Sequence, residues 1–117
     1  MSISTKRIYE KPERKDGTRI LVDRLWPRGL SKAEAKIDVW MKDIAPSDEL
    51  RRWYNHDVQK WPEFKKRYFA ELDAKPASIK DMLTYTDAGN VVFLYSSKET
   101  SYNNAVALKE YIESVRK

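Results

Sequence analysis

Gly89-Asn90-Val91-Val92-Phe93-Leu94-Tyr95-Ser96-Ser97 decides the fold. The apolar run from Val91 to Tyr95 does not alternate, which fits a strand buried on both faces, as inside a parallel sheet. Small and polar residues bound it on either side. Such a strand needs strand neighbours beside it and helices above and below. The rest of the chain is read for those partners.

Two further runs supply strands. Ile3 to Tyr9 alternates loosely, and a first strand is expected near residues 3–8. Thr18-Arg19-Ile20-Leu21-Val22 is β-branched and apolar, and Asp16-Gly17 sets it off with a turn. Helical signals fill most of the remainder. Ser31-Lys32-Ala33-Glu34 has capping-box spacing, so a helix should start at Ser31; Ile37 to Met41 then begins a separate turn. Pro46-Ser47-Asp48 opens a short helix with Leu50, Trp53 and Tyr54 on one face, ended by Asn55-His56-Asp57. Trp61, Phe64, Tyr68 and Leu72 recur at helical spacing, and Pro62 suits a first turn. Pro76 opens another helix with Ile79, Met82 and Leu83 inward, and Gly89 stops it. The last helix runs from about Asn103 to Val115, its buried stripe being Ala105, Leu108, Ile112 and Val115. This order predicts one α/β domain over residues 1–117. It is a small sandwich with a mostly parallel sheet of three or more strands, flanked by helices.

Composition narrows the chemistry. A length of 117 residues suits one hydrophobic core. With 41% hydrophobic and 12% aromatic residues, the chain is not a disordered one. No apolar run approaches the roughly 20 residues that span a bilayer, and Met1 to Glu10 has no signal-peptide core. A cytoplasmic protein without a membrane partner is expected. There is no cysteine, which excludes disulfides, thiolate zinc sites and a thiol nucleophile. The single histidine, His56, excludes a histidine-rich metal site. No metal and no cofactor are expected. The net charge of +5 favours anionic partners; nucleic acid, held through its phosphates, is one of them.

Ligands of open α/β sheets bind beyond the carboxyl ends of the strands. The second strand delivers Asp23, Arg24, Trp26 and Arg28 there. The last strand delivers Tyr95, Ser96, Ser97 and Lys98, followed by Asn103 and Asn104 at a helix start. If the two strands are parallel neighbours, both groups meet in one crevice. Arg24 and Arg28 offer forked donors for carboxylate or phosphate, and Trp26 offers a face to a planar ligand. Asn103, Asn104, Tyr95 and Ser97 would complete the pocket. Structural roles compete at each position. Asp23 and Arg24 could pair with each other or with a helix end, Trp26-Pro27 could pack as a rigid loop, and asparagines at a helix start commonly cap it. His56 could act as a general acid or base, or simply sit at a helix C-terminus where the dipole favours it. Trp53 and Trp61 fall on apolar helix faces and read as core. No nucleophile elbow, dinucleotide fingerprint or Walker motif is present. The sequence therefore points to binding of a small anionic ligand, a nucleotide, phosphate or carboxylate, with catalysis open. The alternatives are a basic nucleic-acid-associated protein and a protein-interaction domain.

Several of these residues resemble a known family. Leu21-Val22-Asp23-Arg24-Leu25-Trp26-Pro27-Arg28-Gly29, Ser31-Lys32, Ala45-Pro46-Ser47, Leu50-Arg51, His56, Phe64, Arg67-Tyr68, Glu71-Leu72 and the segment from Leu94-Tyr95 to Asn104-Ala105 are similar to the YeaO-like bacterial proteins. Those belong to a larger class named as a domain of unknown function. The resemblance spans nearly the whole chain. It implies a cytosolic α/β protein of bacterial or archaeal type, and it implies no reaction. Broader relatives carry a Cys-His-Arg string near the final strand-to-helix turn. This chain has Asn103-Asn104-Ala105 there, so their thiol or metal chemistry is not expected in it.

Overall fold

The computed structural model describes residues 2–116. Its sheet has four parallel strands: β1 (Ile3–Arg7), β2 (Thr18–Leu21), β3 (Val39–Trp40) and β4 (Val91–Tyr95), in the order β1-β4-β2-β3. β4 is last in sequence and interior in space. It pairs with β1 from Ile3↔Val91 to Arg7↔Tyr95 and with β2 from Thr18↔Val91 to Leu21↔Leu94. The unbroken apolar run follows from this position, and all five of its residues are buried. β3 is an addition to the expected strands. It lies inside the segment read as a turn, and its two residues are strand only through pairing with Ile20 and Leu21.

The helices are α1 (Lys32–Ala35), α2 (Asp48–Tyr54), α3 (Trp61–Asp73), α4 (Pro76–Ala88) and α5 (Asn104–Val115). Strand alternation divides the core between the two faces of the sheet. Ile20, Val22, Val91, Phe93 and Tyr95 join Leu50, Phe64, Tyr68, Leu72, Met82, Leu108 and Ile112 on the large face, beneath α2 to α5. Leu21, Val92 and Leu94 point the other way, to Ile8, Ala35, Trp26 and Trp40. Burying each large apolar side chain contributes about 1.5–3 kcal/mol, so most of the stability comes from the large face. One expected core residue is corrected: Val115 is the last residue of α5 and is exposed, because the core does not reach past Ile112 on that helix.

The link from β1 to β2 must pass over β4. It does so through Ile8 to Gly17 with a short 3-10 turn at Arg14–Asp16. Ions secure the crossing. Arg19 donates from Nη1 to Asp16 Oδ2 at 2.6 Å, and Lys6 Nζ reaches Asp16 at 3.1 Å and Glu13 at 3.0 Å. The rest of the Arg19 guanidinium donates to the carbonyls of Ala35 and Lys36, at 2.9 Å each, where α1 ends. Arg19 and Asp16 are both buried, and each charge is met by several partners, as burial of charge requires.

Candidate functional site

β2 and β4 are parallel neighbours, so the two loops that leave their carboxyl ends meet. They frame a cleft of about 480 Å³, within the range of roughly 300–1,000 Å³ typical of small-ligand sites.

The loop after β2 is built to hold its shape. Pro27 is buried and Gly29 takes a left-handed turn at φ 80°. Ser31 then caps α1, accepting from Glu34 N–H at 3.1 Å while Glu34 accepts from Ser31 N–H at 2.9 Å. Tyr9 donates its hydroxyl to the Arg28 carbonyl at 2.9 Å, tying the loop to the chain just beyond β1. The Trp26 indole donates to the Leu30 carbonyl at 2.7 Å and meets Trp40 edge-on at 5.4 Å.

Asp23 joins the two strand ends. Its Oδ2 accepts from both N–H and Oγ–H of Ser96, each at 2.8 Å, and its Oδ1 accepts from Asn104 Nδ2 at 3.0 Å. The same Asn104 amide donates to the Val22 carbonyl at 3.1 Å. The carboxylate is thus occupied from within. Asn103 is a helix cap: Oδ1 accepts from Val106 N–H at 3.0 Å and Nδ2 donates to the Glu99 carbonyl at 2.8 Å. Ser97 Oγ accepts from Glu99 N–H at 3.0 Å. Arg7 braces this loop by donating to the carbonyls of Ser97 and Ser96.

The opposite wall comes from α2. Ser47 caps it by accepting from Leu50 N–H at 3.1 Å, and the Glu71 carboxylate of α3 takes both the Ser47 N–H and hydroxyl. Arg51 and Arg52 follow on this anchored helix and line the cleft. At its far end Asn55 and His56 are consecutive left-handed residues, φ 45° and 57°, a conformation that asparagine tolerates better than histidine. His56 lines the cleft and is exposed. Tyr54 donates to the Tyr102 carbonyl at 2.9 Å, and burial pushes its hydroxyl up to about 12, so it remains a proton donor at neutral pH.

The charges in the cleft are one-sided. Among the described residues that line it, Arg24, Arg28, Arg51 and Arg52 face a single carboxylate, Asp23, while Asp48 pairs with two of the arginines without lining the cleft. Arg24 leans on the Pro46 carbonyl at 3.4 Å and on Asp48 at 3.8 Å, and Arg51 pairs with Asp48 at 3.2 Å. The guanidinium groups of Arg28 and Arg52 have no acidic partner among the described residues. A second cleft, about 710 Å³, lies between β3 and α4, where Lys42 is accompanied by Asp43 and Asp81. It gathers none of the residues singled out in the sequence.

The family model described as "Inactive DUF488-N3 subclade" matches residues 2–117. The chain belongs to this YeaO-like family. It is 39% identical over 115 residues to "Uncharacterized protein YeaO" of Escherichia coli (strain K12), covering 98% of this chain and 100% of the relative. It is 34% identical over 110 residues to "Uncharacterized protein Rv3073c" of Mycobacterium tuberculosis, covering 94% of this chain and 92% of the relative. No solved structure matches.

For this YeaO-like chain, the cleft brings together Asp23, Arg24, Trp26, Arg28, Ser97, Asn103, Asn104 and His56. It does not include Tyr95. That side chain is buried on the large face, where burial and then the nearby Glu10 charge raise its hydroxyl above the ordinary range. Arg51, Arg52, Tyr9 and Tyr102 line the cleft without having been expected there from the sequence. Arg51 and Arg52 lie on the polar side of a short predicted helix, and no local pattern says which way that side faces. The four tryptophans are half-buried, and none forms an exposed patch among the described residues. No helix among those residues is long and apolar enough to cross a membrane.

Proposed function

We propose that this protein is a cytoplasmic binding module for a small anionic ligand, held in the cleft beyond the carboxyl ends of β2 and β4. The observation that carries the reading is the arginine set. Arg24, Arg28, Arg51 and Arg52 surround one cleft in which the only carboxylate among the described lining residues, Asp23, is already bonded to Ser96 and Asn104. Forked guanidinium donors match phosphate and carboxylate oxygens in pairs. Placing several like charges together costs energy that an anion recovers. Trp26 contributes an indole whose N–H is spent on Leu30, so it serves as a wall. His56 adds a donor at the mouth.

Thiol chemistry is not available to the residues of this cleft. The chain has no cysteine. Asn103 is committed to capping α5 and Asn104 to bridging Val22 and Asp23.

The test is thermal unfolding in low salt with pyrophosphate, sugar phosphates, nucleotides and small dicarboxylates. A ligand that binds only the folded state raises the midpoint by mass action. The double variant Arg24→Ala, Arg28→Ala should keep its cooperative unfolding and lose that rise. No rise with any of these anions at millimolar concentration would end the reading. Salt-sensitive binding of duplex DNA with no response to the small anions would replace it with a nucleic-acid role.

A further inference from the structure

The cationic cleft has an apolar rim. Five large hydrophobic side chains are exposed among the described residues: Tyr9, Leu25, Val58, Tyr102 and Val115. Three of them, Tyr9, Leu25 and Tyr102, line this one cleft. Leu25 is 63% exposed and sits in the same loop as Arg24 and Arg28. Single exposed hydrophobic residues are ordinary. Convergence of most of them on one charged site is the pattern of a ligand wall.

The rings are also held in place. Tyr102 meets Trp61 edge-on at 5.5 Å, and its carbonyl takes the Tyr54 hydroxyl. The Tyr9 hydroxyl is fixed to the Arg28 carbonyl, and the Arg7 guanidinium lies 5.0 Å from its ring centre. Tyr54 and Phe64, stacked at 4.3 Å, line the cleft as well. Rings ordered before binding lose little freedom on binding. A bare phosphate or a small dicarboxylate would use none of this apolar surface.

We infer that the ligand is a phosphate ester joined to a planar ring, of the class of a nucleoside monophosphate. Its phosphate is taken by the arginines and its base lies against the Tyr102 and Leu25 rim. This rests on the anion-binding reading above and narrows it. Every base presents a flat face, so stacking provides affinity without choosing among bases.

Calorimetric titration of the full chain separates the two readings. The probes are the four common nucleoside monophosphates, ribose 5-phosphate, pyrophosphate and a phosphotyrosine peptide. At least one nucleoside monophosphate should bind about tenfold or more tightly than ribose 5-phosphate, the scale of one base-stacking contact. Tyr102→Ala and Leu25→Ser should each remove most of that advantage; their unchanged far-ultraviolet circular dichroism would show an intact fold. Equal affinity for ribose 5-phosphate and every nucleotide would overturn this inference and leave anion binding standing. Tighter binding of the phosphotyrosine peptide than of every nucleotide would overturn it too. No binding of any probe would overturn both.

Discussion

Asn104 Nδ2 lies 3.0 Å from Asp23 Oδ1 and 3.1 Å from the Val22 carbonyl, so one amide joins the end of β2 to the first turn of α5. Both acceptors need a donor at that position. Asn104→Asp replaces the donor with an acceptor and sets two carboxylates together. The expected cost at pH 7 is about 2–4 kcal/mol. Crowding raises the carboxyl pKa of such a pair, so the cost shrinks as the pH falls and one proton is shared. Urea unfolding at about pH 7 and pH 5 measures this. Equal losses at both values would contradict it.

His56 is held at φ 57° and lines the cleft. His56→Gly removes the left-handed cost, about 1–2 kcal/mol for a non-glycine residue, but gives the unfolded chain more freedom. The folded state should therefore gain up to about 1 kcal/mol, while anion binding weakens. Asn55→Gly at φ 45° should give a smaller gain, because asparagine already tolerates the left-handed region at a helix end, and it keeps the imidazole. Paired denaturation and calorimetric titration of the two variants check this. Undiminished binding by His56→Gly would remove His56 from the site.

Two glycines with the same sign of φ should respond differently. A Cβ on Gly17 would lie 2.2 Å from the Asn90 carbonyl oxygen, whereas a Cβ on Gly29 meets nothing within 4 Å. Gly29→Ala should cost only the conformational term, about 1 kcal/mol. Gly17→Ala must also separate the turn from the chain before β4, and about 3 kcal/mol or more is expected. Midpoint temperatures would fall by about 4 °C per kcal/mol. Similar midpoints for the two variants would show that Asn90 yields easily.

The ionic cluster under the crossover predicts sensitivity at both ends of the pH scale. Burial pushes the Asp16 carboxyl up, but bonds from Glu13 N–H, Lys6 and Arg19 outweigh it and hold the group below its ordinary value. Its stabilisation is complete above about pH 4 and is lost as the pH falls through the lower folded value. Burial pulls Lys6 down, but bonds to Glu13 and Asp16 leave it above 10.5. That contribution is complete below 10.5 and disappears as the pH rises through the higher folded value. Asp16→Asn should flatten the acid limb of a stability profile, and Lys6→Met the alkaline limb. Arg19→Ala, which leaves Asp16 with one cation fewer and frees two carbonyls at the end of α1, should cost about 3–5 kcal/mol.

Much of the fold was legible because its signals are local. The Val91 to Tyr95 run, the Ser31 capping box and the Trp61-Phe64-Tyr68-Leu72 stripe each state their own structure, and each element stands where it was expected. Features that depend on distant partners were not legible. β3 is two residues long and takes its identity from β2. Val115 continues the helical spacing of α5 but lies beyond the last core residue of that helix, Ile112. The strand-end rule located the crevice once β2 and β4 proved to be neighbours. It could not bring in Arg51 and Arg52, which stand on a helix joined to α3 by the distant Ser47–Glu71 bonds. Arg19 stands inside the run read as an apolar strand, and its role became visible only beside Asp16, Ala35 and Lys36.

The position of β4 has a consequence for how the molecule is made. Until Val91 to Tyr95 leave the ribosome, β1 has no strand beside it, and β2 has only the two residues of β3. Synthesis therefore yields a string of helices around an unassembled sheet, closed by one late insertion between two waiting strands. Folding of this kind is governed by a distant pairing, which slows it. A chain released before residue 91 would present two unsatisfied strand edges to its neighbours, and aggregation rather than partial function would be its fate.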